Sequence, residues 1–193
     1  MGFFQKEFKP DKTEGSLLSK LYLTHQQRRS IVKWVLYSAL IVLLSLVQDV
    51  VLCRYRLFGA TTDLVPCGII LICVIEGVES GCVFALCASL FYLFSGSAPG
   101  PYSVLFLTAL SVAVTILRQA YLQKGLLAAL LCTGLALFVY EMLVFGMGLF
   151  LELTIPARFI GFATTALLSV IAVPVIYPMI LGLGRIGGQI WKE

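Results

Sequence analysis

Glu76 and Glu79 stand three residues apart in the run Glu76-Gly77-Val78-Glu79-Ser80-Gly81, a spacing that puts two carboxylates on one helical face as an acid/base pair requires. Nothing around them supplies a nucleophile, a histidine or a metal set, so a polar turn between two apolar segments is the expected role. Glu141, preceded by Tyr140, lies deeper in apolar sequence: sixteen residues separate it from Lys124, and no cation follows until Arg158. A carboxyl at membrane depth needs a partner. Two readings stay open for it: a role in a cavity or at a partner interface, or a structural hydrogen bond to a Tyr, Ser or Thr on a neighbouring helix. Gln48 and Asp49 close the first apolar run, where an interface is within reach. The string Gly182-Leu183-Gly184-Arg185-Ile186-Gly187 has the spacing of a dinucleotide fingerprint but follows an apolar helical run instead of a strand, so no such site is expected. Cys53, Cys67, Cys73, Cys82, Cys87 and Cys132 fall in or beside apolar stretches with no C-x-x-C, and the only histidine is His25. They read as small hydrophobes. No catalytic, cofactor or metal site is expected.

The elements that position these groups are set by composition. Of 193 residues 60% are hydrophobic and 12% charged, and the mean hydropathy is +0.98; soluble domains average roughly 45–50% and about 25%. Half of the fourteen cations, Lys6, Lys9, Lys12, Lys20, Arg28, Arg29 and Lys33, precede or open the first apolar run. They read as a cluster at a membrane edge, not as a nucleic-acid stripe. Residues 1–30 are expected to be a basic cytoplasmic leader, either amphipathic along the lipid surface or disordered. A leader this long is not the n-region of a signal peptide, and the run 31–53 is long enough to stay as a spanning helix.

Dividing the rest at charges, Gly/Pro clusters and X-Pro steps gives apolar spans near 31–53, 64–77, 80–95, 101–118, 125–150 and 157–181. The fold class expected is all-α: a polytopic membrane protein of about six transmembrane helices in one compact bundle over residues 31–185, with a short tail at 186–193. The second and third spans fall below the roughly 20 residues of an upright crossing, so a re-entrant pair around Glu76–Ser80 is the alternative. With the N-terminus inside, eleven cations lie on the cytoplasmic side and three, Arg54, Arg56 and Arg158, outside; both termini are expected in the cytoplasm. Asp49 is near enough to neutralise Arg54 or Arg56.

Gly77, Gly81, Ala85 and Ser89 recur every four residues and line one face of the third span, as a close helix contact requires, inside the chain or with a partner. Gly161, Thr165 and Ser169 repeat that spacing on the last span. There Pro174 and Pro178 are expected to break or kink the helix, with Ser169 and Thr165 available to freed carbonyls. The Ser95–Tyr102 loop has the turn formers of a tight hairpin and no charge.

The order of these features resembles the rod-shape-determining MreD family. The likeness runs over residues 31–185: a basic leader, a first span ending in Gln48, Gly59 followed by Asp63-Leu64-x-Pro66, an apolar run, Glu-Gly-x-Glu-Ser-Gly, and Ser95-Gly96 before Gly100-x-Tyr102. Thr62-Asp63-Leu64 stands where the family has Pro-Asp-Leu, and Ser89-Leu90-Phe91-Tyr92 replaces a stretch that in the family ends in an acid. The resemblance implies a non-enzymatic membrane subunit of the bacterial elongation machinery. Its implied partners are an MreC-like bitopic protein and, indirectly, the MreB filament and the transglycosylase/transpeptidase pair that builds lateral peptidoglycan. It also implies a fold similar to the substrate-binding subunits of energy-coupling-factor vitamin transporters, which supplies the alternative function. Membrane lipid is an expected partner; a cofactor and a nucleic acid are not.

Overall fold

The computed structural model describes residues 25–54, 60–121 and 125–186. Six α-helices account for almost all of them: α1 His25–Val50, α2 Leu64–Glu76, α3 Val78–Phe94, α4 Tyr102–Tyr121, α5 Leu126–Phe150 and α6 Phe159–Ile186. Short 3-10 turns, Leu52–Arg54 and Pro156–Arg158, follow α1 and precede α6. Four helices, α1, α4, α5 and α6, are long and apolar enough to cross a membrane, as expected of a membrane protein; α2 and α3 are shorter. Helix α1 starts at His25, so the last residues assigned to the leader already belong to it. The rest of the leader, Gly59 and the tail lie outside the described residues.

Why α2 can be short follows from where it sits. It touches each of the other five helices, and Leu64 to Ile75 are buried without a break. A helix of 13 residues is about 20 Å long, and a span that short is tolerated where protein, not lipid, surrounds it. The long helices are the reverse: at most 44% of any of their spanning windows is buried. Leu105, Leu127, Phe150, Ile160 and Ile171 point outward. So large an exposed apolar surface suits lipid and would aggregate in water.

One residue joins α2 to α3. Gly77 has φ +97 and ψ 177, a region essentially reserved for glycine, and it ends one helix while starting the next. The returning helix approaches closely at Gly81, where a Cβ would lie 3.1 Å from the Cys73 Cα of α2. Ala85 and Ser89 continue that face into the interior, both fully buried, and the Ser89 hydroxyl is 3.1 Å from that of Thr108 on α4. This small-residue face therefore meets helices of its own chain.

The α2–α3 pair runs between two polar ends. At one, Glu76 meets Lys33 and Tyr37 of α1, while Arg118 donates to the Val74 carbonyl. At the other, Asp63 meets Gln48 of α1 and Ser169 of α6. Helix α6 is continuous through Pro174 and Pro178. The Ser169 hydroxyl bonds Thr165 O, not a carbonyl freed by Pro174, so the expected break is not found.

Candidate functional site

The N-terminus of α2 is capped from a different helix. A helix start leaves its first N–H groups without intrahelical acceptors. Asp63 occupies the N-cap position, yet its side chain makes no cap bond. Gln48 supplies the acceptor: its Oε1 takes the N–H of Leu64 at 2.9 Å and of Val65 at 3.1 Å, and Pro66 has no N–H to satisfy. The same amide donates through Nε2 to Asp63 Oδ1 at 2.8 Å, and the Asp63 N–H donates to Ser169 Oγ at 2.9 Å. Asp63 is thereby freed to turn its other oxygen toward Tyr92, whose hydroxyl is 3.4 Å from Oδ2, and toward Glu141.

Glu141 of α5 is 4% exposed and hydrogen-bonded to Asp63. A hydrogen bond between two carboxyl groups needs a proton held between them. Removal from bulk water raises the Asp63 carboxyl above the usual carboxylate range, against hydrogen bonds from Tyr92, Glu141 and Gln48 that favour its charged form. Tyr140 is fully buried beside the pair. Glu141 thus lies beside an acid at the start of α2 and lines a cavity, the first of the two settings weighed from sequence. Glu141 Oε1 has no hydrogen-bond partner.

A cavity of about 460 Å³ opens over this pair, lined by Thr61, Asp63, Glu141, Arg158, Thr165 and Ser97 among others. Glu141 lies nine residues before the end of α5, about 14 Å below it; Arg158 is exposed on the turn before α6. Gly161 and Thr165, which share the spacing of a packing face, line this hollow instead, and a Cβ on Gly161 would meet nothing within 4 Å.

Glu76 and Glu79 do not form a pair. Glu79 is exposed, whereas Glu76 makes a 2.5 Å ion pair with Lys33 and accepts from Tyr37 at 2.7 Å. Lys33, counted from sequence among free membrane-edge cations, is buried in that pair and stacks at 5.2 Å on Trp34. Asp49 accepts from Ser97 at 2.8 and 2.9 Å and makes no ion pair with Arg54; Arg56 is outside the described residues. Gly182 and Gly184 belong to α6, with no strand before them, and Gly184 packs on Tyr37. Of the groups singled out in sequence, Asp63, Leu64, Pro66, Tyr140 and Glu141 are brought together, while the Gly77–Ser89 face lies against α2 and α4. Gln48, Tyr92 and Ser169 complete the cluster. Gln48 carried a sequence signal at the end of an apolar run and Ser169 one as part of the Gly161–Thr165–Ser169 spacing, but neither signal pointed to Asp63.

No family, no curated protein and no solved structure matches this chain.

Proposed function

We propose that this protein is a non-enzymatic membrane scaffold of the bacterial elongation machinery, with six crossings and both termini in the cytoplasm, acting through helix and loop contacts with an MreC-like bitopic partner. One observation carries the reading. Gln48 and Asp63-Leu64-x-Pro66, separate features of the MreD resemblance, are bonded to each other, three hydrogen bonds from one amide fixing α1 to the start of α2. The six-crossing count is supported by the reach of α2 from Gln48 to Lys33, 15 residues along the 23-residue span of α1. Affinity purification in mild detergent from the native host, with co-purifying chains identified by mass spectrometry, is expected to recover an MreC-like chain and, with it, MreB-like or wall-synthase chains. Recovery of none of them removes the proposal.

The cavity over Asp63 and Glu141 favours a second reading, the substrate-binding subunit of an energy-coupling-factor vitamin transporter. In that case the same purification returns a pair of ATPases with their transmembrane coupling protein.

A further inference from the structure

The floor of the Asp63-end cavity holds an unsatisfied acceptor. Glu141 is 4% exposed, lines a hollow of about 460 Å³ together with Asp63, and has no hydrogen-bond partner at Oε1. A buried acceptor left unmade costs about 1–3 kcal/mol, and volumes of roughly 300–1,000 Å³ are those of small-molecule sites. The charges are ordered by depth. Two carboxyls form the floor, the hydroxyls of Thr61 and Thr165 lie in the wall, and one guanidinium, Arg158, stands on the exposed turn.

We propose that this cavity binds a small zwitterion of the amino-acid or dipeptide class, its ammonium on the carboxyls of Glu141 and Asp63 and its carboxylate toward Arg158. An ammonium brings three donors and a positive charge to a floor that offers only acceptors. A simple anion would meet the carboxyl pair, and a dication would meet Arg158. Only a ligand with separated opposite charges complements both ends. The inference stands apart from the scaffold reading: binding to the purified chain tests it, whereas partner recovery tests the scaffold.

The test is calorimetric titration of the full-length protein in detergent with glycylglycine, methylammonium and acetate, repeated on Glu141→Gln and Arg158→Gln. Saturable binding of glycylglycine is expected, with methylammonium at least about tenfold weaker and acetate without binding, since one charge-assisted bond of about 1.5–3 kcal/mol corresponds to tenfold or more. Glu141→Gln is expected to weaken glycylglycine at least about tenfold, and Arg158→Gln to bring it to the methylammonium level. Absence of saturable glycylglycine binding overturns the proposal, as does acetate binding of equal strength. Arg158 is on an exposed turn, so Arg158→Gln leaves the fold intact; an unchanged glycylglycine affinity in that variant also overturns the proposal.

Discussion

Replacing Glu76 by Gln leaves the Lys33 ammonium inside the protein without its counter-charge, and the cost can be worked from the site. The two side chains are 8% and 10% exposed and 2.5 Å apart. At that distance and an effective dielectric of about 20, the Coulomb attraction is roughly 7 kcal/mol before desolvation is subtracted. Measured losses on removing one partner of a buried pair are about 3–5 kcal/mol. Gln retains an oxygen for the Tyr37 hydroxyl, which bonds Glu76 at 2.7 Å, so the lower end applies: about 3 kcal/mol for Glu76→Gln. Lys33→Met, which strands the carboxylate instead, is expected to cost a similar amount, about 3 kcal/mol. Together the two changes leave no buried charge, so the double variant is expected within about 2 kcal/mol of the native protein, a coupling of about 4 kcal/mol. Equilibrium unfolding from mixed micelles at increasing denaturing-detergent fraction measures all four proteins. Additive losses, with the double variant near 6 kcal/mol, refute the reasoning, because they mean that each side chain acts without the other.

Gly81→Leu is expected to be far more harmful than Glu79→Gln, since a side chain there meets the Cys73 backbone at 3.1 Å while Glu79 is exposed; equal protein levels and equal unfolding midpoints contradict this. Gln48→Leu strands the N–H groups of Leu64 and Val65 and is expected to cost about 2–3 kcal/mol in the same unfolding assay. Glu152 has φ 57 at the end of α5, where Leu153 N donates back to Gly148 O, so Glu152→Gly is expected to stabilise by up to about 1 kcal/mol.

Helix boundaries were legible because apolar runs and their breakers are local. Each of the six spans coincides with a helix to within a few residues; the largest shift is at α1, which begins six residues before Ile31. The recurrence of Gly77, Gly81, Ala85 and Ser89 likewise announced a contact face, since period four on a helix is a statement about one side of it. What could not be read was which residues meet across the fold. Asp63 and Glu141 are 78 positions apart in the chain, and nothing in either neighbourhood names the other. The Lys33–Glu76 pair was hidden for a second reason: counting cations by loop assigns Lys33 to the surface, and only the closeness of α1 to the end of α2 reveals that it is buried. A break at the prolines of α6 is not found because their effect depends on what surrounds the helix, and α6 carries both without interruption.

The central claim, a scaffold for side-wall synthesis, is tested most directly by depleting this protein in its own host while following cell shape and the incorporation of labelled wall precursor along the cell body. The account predicts that rods shorten and round as the protein is lost and that incorporation along the side wall falls. Rods of unchanged width and unchanged side-wall incorporation after complete depletion contradict it.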